Sequence, residues 1–519
     1  MPSKVYSAVT IGLDAEKIEV ECDAGTGQFH FIIVGLPDTA VQEARERVRS
    51  AIKNSGCSFP RGRVTVNLAP ADMKKQGSLY DLPIAISILL ADKDTSRVFP
   101  ESAHQEVQKS LCVGELSLDG EVRPVSGVIA IAYYARHAGF DSVFVPEKNA
   151  REAALIEGLT VYPVRTFSQC VDHLMGTTRI IPLQSESDTV QKIQEETIQS
   201  YPDLSHIRGQ ERAKRALEIA AAGGHNILLS GQPGAGKTML ARTLPGLLPL
   251  LTLDEALEVT RIYSVSGALA TATPLAIERP FRSPHHTASV ASLIGGGSTP
   301  APGEVSLAHR GVLFLDEFPE FPRSAIEALR QPLEDGWVTV SRAAGTVRYP
   351  ARCMLVAAQN PCPCGNRESK IHECTCSSGA IHSYQKKISG PILDRIDLFV
   401  DVPPVEYDEL LGGAHSESSA TVRDRIARAR NVQRERLLGE NLFMNSEMQQ
   451  RHLETICPLD SGPASLLRSA AEKFGLSARS YSRIIKIART IADLSESENI
   501  TEAHIAESLQ YRPFFSQIT

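Results

Sequence analysis

Residues 226–238, with the sequence NILLSGQPGAGKT, form an apolar run that breaks into a glycine-rich turn. The pattern G-x-x-x-x-G-K-[ST] is matched there by Gly231, Gly236, Lys237 and Thr238. In this pattern, backbone N–H groups of the turn surround phosphate oxygens at the N-terminus of a helix. The apolar run predicts a strand, and the following MLARTLPGLL predicts a helix at least as far as its proline. The stretch therefore predicts a nucleotide-binding α/β domain.

The residue types of this loop also predict its ligands, ATP and Mg²⁺. Lys237 would reach the β- and γ-phosphates, and the hydroxyl of Thr238 would bind the metal ion. The residues expected to contact the nucleotide are Gly231, Gln232, Pro233, Gly234, Ala235, Gly236, Lys237 and Thr238.

Two carboxylates follow a second apolar run, at residues 312–315. Such a run is typical of a strand buried on both faces, which would place Asp316 and Glu317 at its C-terminal end. We expect Asp316 to hold Mg²⁺ through water and Glu317 to orient and deprotonate the attacking water. The alternative is a solvated acidic turn, which the upstream phosphate loop argues against.

Two later polar residues extend the expected catalytic set. Asn360 follows the predicted strand CMLVAAQ and is placed to sense the γ-phosphate or the attacking water. A turn-forming asparagine is the alternative. Arg395, in GPILDRIDL, lies where an oligomeric ATPase presents an arginine finger to the γ-phosphate of its neighbour. Its alternative role is a salt-bridged surface arginine.

Four cysteines form two close pairs, Cys362-x-Cys364 and Cys374-x-Cys376. They provide the four soft ligands of a tetrahedral structural zinc site, but C-x-C is tighter than the usual C-x₂-C spacing. A zinc site and a set of reduced thiols in a surface loop are therefore both open interpretations. Because Cys362 follows Asn360 almost directly, a metal ion here would hold the loop just beyond the predicted γ-phosphate sensor.

Residues 1–172 predict a separate α/β domain. Its stretches KKQGSLYDLPIAISIL and VGELSLDGEVRPVSGVIAIAYYARHAGFDSVFVPEKN resemble the proteolytic domain of Lon-type proteases. That family uses a Ser–Lys dyad, whose two positions fall at Asp81 and Ile129 in this chain. The resemblance therefore implies a Lon-like domain without proteolysis, acting as a scaffold, a ring-forming element or a DNA guide. Ser78 is a remaining candidate, but a serine without its base is more often a turn residue.

A wider resemblance is carried by the stretches GQPGAGKT, RPFRSPHHTAS, GEVSLAHRGVLFLDEF, LRQPLEDGWVTVSRAAGTVRYPA, LVAAQNPCPCG and GPILDRIDL. They resemble the magnesium-chelatase-like branch of the AAA+ ATPases, and with the Lon-like domain in front the chain is similar to the ComM/YifB family. The resemblance implies an ATP-driven homo-hexameric ring acting on branched, single-stranded or double-stranded DNA. The implied activity is helicase-type branch migration in homologous recombination during natural transformation, with recombination proteins as partners. Arg479 or Arg483 would be the second sensor of a helical lid, and the family pattern favours Arg479, with a surface helix arginine as the alternative.

These features predict an α/β protein with four segments along the chain. They are the Lon-like domain at 1–172, a polar linker at 173–203, the AAA+ ATPase domain with a parallel sheet at 204–402 and a helical lid at 403–519.

The charge distribution leaves DNA binding open. A formal net charge of −7 excludes a uniformly basic surface, but DNA binding needs only a local basic stripe. The strongest local candidate is the predicted helix ATVRDRIARARNVQRERL, whose arginines would form either a solvated face or a phosphate-binding surface. Weaker candidates are Arg282, His285, His286, Arg342 and Arg348.

The sequence contains no apolar stretch of membrane-spanning length and no signal-peptide pattern, which favours a cytoplasmic protein without membrane contact. Two alternative functions use the same motor without DNA: a chelatase motor that drives metal insertion, and a protein-remodelling motor. The Lon-like domain and the lack of an integrin-like metal-binding domain argue against the chelatase.

Overall fold

The computed structural model describes residues 2–11, 14–36, 38–71, 75, 77–92, 99–183, 201–268, 276, 278–297, 300–342, 345–367, 373–405, 417–440 and 442–512. The chain forms two compact units, each built from two stretches of sequence. The first unit comprises Met1–Val190 and Leu253–Ala276, and the second comprises Gln191–Thr252 and Ile277–Thr519.

A mixed β-sheet forms the centre of the first unit. Its strands are β1 (Ser3–Ile11), β2 (Asp14–Gly25), β3 (His30–Val34), β4 (Arg63–Ala69), β5 (Ser110–Cys112), β8 (Ser142–Pro146) and β9 (Thr160–Val164). They are arranged in the order β3-β4-β2-β1-β5-β8-β9. Strand β2 is antiparallel to β1 and β4, and the other pairs are parallel. A separate hairpin joins β6 (Glu115–Leu116) to β7 (Val122–Arg123).

The helices of the first unit include α1 (Thr39–Asn54), α2 (Asp81–Ala91), α3 (Glu101–Gln108), α4 (Val128–His137), α5 (Glu147–Ala153) and α6 (Phe167–Met175). Helix α1 begins after Asp38, whose side chain accepts a hydrogen bond from the backbone N–H of Val41 at 2.8 Å. Its residues Val48 and Ile52 lie on the buried face, as expected for apolar residues at helical spacing. Helix α2 is buried along its whole length because it is almost entirely apolar.

A helix from the middle of the chain completes the first unit. This helix, α9 (Leu253–Ser266), lies within the range that the sequence assigns to the ATPase domain, yet it packs on the N-terminal residues. The hydroxyl of Ser264 donates to the carboxylate of Glu152 at 3.1 Å and accepts from the N–H of Gly127 at 3.1 Å. The guanidinium of Arg261 lies 4.8 Å from the ring centroid of Tyr133. These contacts explain why α9 lies in the first unit and not with the ATPase sheet. They join residues that are more than 100 positions apart, which a local sequence pattern cannot relate.

The predicted linker at 173–203 also begins inside the first unit. His173 belongs to α6 and is buried, and its Nε2 lies 2.9 Å from a carboxylate oxygen of Glu106. Its Nδ1 accepts a hydrogen bond from the N–H of Ile180, which is also buried. His173 and Ile180, at the start of the predicted linker, therefore pack into the core of the first unit. Residues 184–200 lie outside the described residues.

The second unit is centred on a parallel sheet, as the phosphate loop predicts. Its strands are β10 (Ile227–Gly231), β11 (Phe281–Arg282), β14 (Val312–Leu315), β17 (Met354–Gln359) and β18 (Leu398–Val402). They are arranged in the order β11-β14-β17-β10-β18, and every pair is parallel. Two small hairpins accompany the sheet, β12 (Gly295–Gly296) with β13 (Ala301–Pro302), and β15 (Trp337–Arg342) with β16 (Gly345–Pro350).

The α-helices of the second unit are α7 (Glu211–Gly223), α8 (Lys237–Leu247), α10 (Val290–Ile294), α11 (Glu304–Leu307), α12 (Arg323–Ala328), α13 (Arg330–Asp335), α14 (Ser378–Gln385), α15 (Gly390–Leu393), α16 (Ser419–Arg436), α17 (Gln450–Ile456), α18 (Ser461–Phe474), α19 (Ala478–Leu494) and α20 (Glu502–Leu509). Short 3₁₀ turns occur at Leu204–His206, Phe318–Glu320 and Asn445–Glu447. Among the described residues, no helix is long and apolar enough to cross a membrane.

The C-terminal helices share a core with the parallel sheet. Val422 of α16 and Ile487 of α19 belong to the same buried cluster as Ile227 and Leu229 of β10. A second cluster, which includes Leu467 of α18, lies among the C-terminal helices themselves. The predicted lid is therefore part of the same compact unit as the ATPase sheet, and residue 402 does not separate two units.

Candidate nucleotide-binding site

The phosphate loop lies between β10 and α8, at the C-terminal edge of the parallel sheet. A Cβ atom at Gly231 would collide with the carbonyl of Val402 on the neighbouring strand, so only glycine fits where the loop leaves the sheet. The next turn begins α8 at Lys237, which directs backbone N–H groups towards an incoming phosphate. The predicted loop residues thus lie in the strand-loop-helix arrangement that their pattern requires.

The ammonium group of Lys237 is held inside this loop. Its Nζ donates to the carbonyl oxygens of Gly231 at 2.7 Å and Gln232 at 2.8 Å, and lies 3.2 Å from Oδ1 of Asn360. Burial lowers the pKa of Lys237, and the nearby charge of Asp316 opposes that effect. The structure therefore brings the predicted phosphate-binding lysine and the predicted sensor together.

The side-chain oxygens of Thr238 and Asp316, the two predicted Mg²⁺ ligands, face each other. The hydroxyl of Thr238 donates to Oδ2 of Asp316 at 2.8 Å, and Oδ1 of Asp316 accepts from the N–H of Glu317 at 2.9 Å. A hydroxyl and a carboxylate facing each other beside a phosphate loop are the oxygen ligands that Mg²⁺ prefers. The donor set at this point therefore fits the predicted metal ion.

Glu317 follows strand β14 in a left-handed conformation, with φ of 51°. Its carboxylate is 55% exposed and lies 3.0 Å from Nδ1 of His286. An exposed carboxylate with one positioned partner is able to accept a proton from water. The sequence indicates His286 only as a DNA-contact candidate and gives no sign of its position beside Glu317. The missing signal is strand order, because β11 and β14 are neighbours and their following residues meet.

The other weak DNA candidates have local partners. Arg282 forms a bidentate ion pair with the Glu304 carboxylate at 2.6 and 2.8 Å. Nδ1 of His285 lies 2.9 Å from the hydroxyl of Thr287. The Arg348 guanidinium lies 4.8 Å from the Trp337 ring centroid. The side chain of Arg342 lies outside the described residues.

The arginine-rich helix α16 is mostly tied to its own unit. Its contacts pair Arg423 with the carbonyl of Gly246, Arg425 with Glu218 and Glu417, Arg428 with Glu496, Arg430 with the carbonyl of Ala221, and Arg436 with Asp493. The phosphate-binding interpretation of these arginines is therefore not supported. Their partners are distant in sequence, and for that reason the charge run alone could not reveal them.

Arg395 and Arg479 meet at one carboxylate, that of Glu334. Arg395 also donates to the carbonyls of Arg330 at 3.1 Å and Pro391 at 2.6 Å, and its side chain is 10% exposed. Arg479 lies 3.5 Å from Glu334 and is 59% exposed. The structure thus brings these two predicted residues to each other, and neither contacts the phosphate loop among the described interactions.

The four cysteines converge despite their tight spacing. The Sγ atom of Cys362 lies 3.4 Å from that of Cys364 and 3.8 Å from that of Cys374, and Cys364 and Cys374 are 3.6 Å apart. These three sulfur atoms and that of Cys376 all lie within 4.8 Å of one another. Zinc–sulfur bonds of about 2.3 Å in a tetrahedron require sulfur separations of about 3.8 Å. A backbone hydrogen bond at Asn366 lowers the pKa of Cys364 to about 6, which favours its thiolate. Backbone hydrogen bonds also act to lower the pKa of Cys374 and Cys376, but contact with the sulfur atoms of Cys362 and Cys364 and desolvation outweigh them and raise both.

In the first unit, Asp81 and Ile129 occupy the positions of the Ser–Lys dyad of Lon proteases, and their contacts differ from those of such a dyad. Asp81 is buried and forms an ion pair with Arg47 at 2.7 Å. Burial raises the pKa of Asp81, and Arg47 opposes that effect. The backbone N–H of Ile129 donates to Glu152 at 3.0 Å, while Ser78 contacts the carboxylate of Glu115. No lysine partner for Ser78 occurs among the described contacts.

Comparison with known proteins agrees with this site. Family models match three stretches: magnesium chelatase, subunit ChlI, at residues 203–410; subunit ChlI of Mg-chelatase at 18–149; and the C-terminal part of magnesium chelatase subunit ChlI at 416–512. The competence protein ComM of Haemophilus influenzae is 43% identical over 513 residues, covering 98% of this chain and 97% of its own. YifB of Escherichia coli is 41% identical over 513 residues, covering 98% and 97%. The Euglena gracilis magnesium-chelatase subunit ChlI is 24% identical, covering 44% of this chain and 70% of its own.

The parallel sheet, the phosphate loop with its paired acidic residues and the helical C-terminus define an AAA+ ATPase of the magnesium-chelatase-like class. Within that class, the chain belongs to the ComM/YifB family, because the similarity extends over nearly the full length of both proteins.

Proposed function

We propose that this protein hydrolyses ATP to move branched DNA, as a branch-migration helicase in homologous recombination during natural transformation. The observation that carries the hydrolytic part is the pairing of Thr238 with Asp316 directly beside Glu317. The similarity to a competence protein over nearly the whole chain supports DNA as the substrate.

Lys237 is the group that recognises the phosphates. In the structure its ammonium is bound by two loop carbonyls, which are neutral partners for a buried charge. The β- and γ-phosphates of ATP offer negative charge instead, so the lysine gains a stronger partner when the nucleotide enters. Asn360, within 3.2 Å of the same ammonium, would then hydrogen-bond the γ-phosphate or the attacking water.

Thr238 and Asp316 would hold Mg²⁺ beside those phosphates. When bound, this ion offsets the charge that develops on the phosphate oxygens. Glu317 would accept the proton of the attacking water, and His286 would orient its carboxylate through the 3.0 Å contact. All of these groups come from the C-terminal ends of neighbouring strands β10, β11, β14 and β17.

Arg395 and Arg479 would act in an assembled homo-hexamer. Arg395 would reach the γ-phosphate of a neighbouring subunit as an arginine finger, and Arg479 would serve as the second sensor. Both would have to leave the Glu334 carboxylate that holds them in the single chain. Glu334 is 52% exposed, which leaves it accessible for such an exchange.

A structural zinc ion is the second cofactor of the proposal, bound by Cys362, Cys364, Cys374 and Cys376. Their convergence within 4.8 Å supports it. The N-terminal Lon-like domain would act as a scaffold without proteolysis, since Asp81 and Ile129 cannot form a Ser–Lys dyad. We place the protein in the cytoplasm, with DNA and recombination proteins as its partners.

A chelatase-type motor is the alternative function, and the names of the three matching family models favour it. The two functions are separated by the effect of DNA on ATP hydrolysis. We would measure phosphate release from wild type and from Glu317→Gln, with and without a four-way DNA junction. Stimulation by DNA that is lost in Glu317→Gln supports the DNA motor. Hydrolysis that is indifferent to DNA contradicts it and favours the chelatase or a protein-remodelling motor.

A further inference from the structure

The cysteine cluster lies directly against the nucleotide site. Cys362 is two residues beyond Asn360, at the end of strand β17, and its side chain is fully buried. The N–H of Gly365 donates to the carbonyl of Cys362 at 3.0 Å, closing a tight turn around the first cysteine pair. The position of this turn is therefore tied to the position of the predicted γ-phosphate sensor.

The same turn rests on the phosphate loop. A Cβ atom added at Gly365 would lie 2.5 Å from Cδ and 2.6 Å from Cγ of Pro233. Real Cβ atoms do not approach so closely, so the backbone at Gly365 and the ring of Pro233 are already in direct contact. Gly365 also has a φ of 81°, which suits glycine. A shift of the cysteine turn would therefore displace Pro233 and with it the phosphate loop.

The second cysteine pair connects to the sensor from the other side. Cys374 and Cys376 precede Ser377, whose hydroxyl caps helix α14 by accepting from the N–H of Ala380 at 3.2 Å. Tyr384 of that helix is buried, and burial raises its pKa to about 12 while the nearby backbone N–H of Asn360 opposes that effect, so the phenol lies beside Asn360. The two cysteine pairs therefore belong to two segments that both lie against Asn360, and their sulfur atoms meet in one cluster.

We infer that a zinc ion bound by Cys362, Cys364, Cys374 and Cys376 is part of the nucleotide site, because it clamps Asn360 and the turn on Pro233 in the arrangement that binds ATP. This inference rests on the proposed ATPase function and on the proposed zinc. Four thiolate ligands give a structural zinc site its folding energy, so losing the ion releases both segments. If the competent arrangement is then populated about a tenth of the time, the apparent Kd for nucleotide rises about tenfold.

The test measures zinc content and nucleotide affinity on the same full-length samples. Zinc is determined by elemental analysis, and affinity by the fluorescence of a labelled ATP analogue. The double variant Cys374→Ser with Cys376→Ser removes two ligands that are distant in sequence from Asn360. The matched control is Cys353→Ser, which removes a free thiol of the same unit outside the cluster. We expect one zinc per chain in wild type and control, and in the double variant no zinc and a Kd raised about tenfold.

A reversible experiment covers the case in which the double variant fails to fold. Chelation of zinc from the wild-type protein should raise the Kd by a similar factor, and added Zn²⁺ should restore it. The variant Gly365→Val separates contact from metal, since it should retain zinc yet bind nucleotide more weakly by pushing the turn off Pro233.

The outcomes distinguish this inference from the proposed function. If the zinc-free protein binds nucleotide with a Kd within twofold of that of the zinc-loaded protein, the inferred role of zinc is wrong, and the proposed ATPase function is unaffected. Wild-type protein that contains no zinc but binds nucleotide tightly would also contradict the inferred role of zinc and leave the proposed ATPase function unaffected. Zinc-loaded wild type that binds no nucleotide overturns the proposed function, and the clamp with it.

Discussion

The ammonium nitrogen of Lys237 lies 3.2 Å from the amide oxygen of Asn360, although the two residues follow different strands and are far apart in sequence. Strands β10 and β17 are hydrogen-bonded neighbours in the parallel sheet, so their C-terminal ends deliver both residues to one point. This point is where the γ-phosphate would lie, since the lysine reaches the β- and γ-phosphates in loops of this pattern.

Asn360 should act on hydrolysis more than on binding. In Asn360→Ala we expect the ATPase rate constant to fall about 100-fold, because one positioned polar group aimed at the reacting oxygens is lost. Lys237 and the loop N–H groups remain, so nucleotide affinity should stay within a few fold. Steady-state phosphate release and equilibrium nucleotide binding check this split. A Kd that rises as much as the rate falls would show that Asn360 serves binding alone.

His286 should support Glu317, whereas its neighbour should not. In His286→Ala we expect hydrolysis to fall by about tenfold or more, because a group that orients the catalytic carboxylate is removed. His285→Ala is the matched control, since that imidazole contacts Thr287 instead. Both rates are measured at saturating ATP. Equal loss in the two variants would contradict an orienting role for His286.

Arg395 of one subunit should support ATP hydrolysis at the site of a neighbouring subunit in the proposed ring. Arg395→Ala alone should lower hydrolysis about 1000-fold while nucleotide binding persists, because an arginine finger stabilises only the transition state. Glu317→Gln should also be inactive. Mixing the two inactive proteins should restore part of the activity, since a site can then combine an intact Glu317 with an intact Arg395 of its neighbour. Mixtures that remain as inactive as their components would show that Arg395 does not act across an interface.

Asp397 should make the second unit sensitive to acid. Burial opposes ionisation, but His225, Arg483 and Lys486 together hold the pKa of Asp397 well below its usual range. A depressed folded pKa adds stability above the unfolded pKa of about 3.9, and that stability is lost as the pH falls through the folded pKa. Asp397→Asn should therefore cost about 3 kcal/mol at pH 7, because it leaves buried cations without their carboxylate.

Urea unfolding of wild type and Asp397→Asn across a pH series measures this contribution. Arg512 also faces the carboxylate, and its charge should act in the same direction. The difference between the two proteins should narrow as the pH falls below about 4. A difference that stays constant from pH 7 to acid would mean that packing, and not charge, accounts for the effect.

The parts of this molecule that the sequence predicts are those with local patterns. The phosphate loop, the buried strand before Asp316 and the parallel sheet follow from spacing and from apolar runs over a few residues. The spacing of the four cysteines does not decide between a zinc site and reduced thiols. Their convergence depends on a turn and a helix cap that only the folded chain brings together.

The parts that the sequence could not predict depend on partners distant in the chain. His286 meets Glu317 only because strand β11 lies beside β14. Helix α9 gives no local sign that Ser264 will bind Glu152 in the first unit. The arginines of α16 form a basic run in sequence, yet acidic residues and carbonyls from other helices surround most of them.

Movement of a four-way DNA junction by the purified protein is the decisive test of DNA motor activity. Junctions with homologous arms would be incubated with wild type or Glu317→Gln, and with ATP or a non-hydrolysable analogue, while phosphate release is followed in the same samples. We expect the branch point to move only with wild type and ATP. Wild-type protein that hydrolyses ATP but leaves the junction in place at every protein concentration would contradict it.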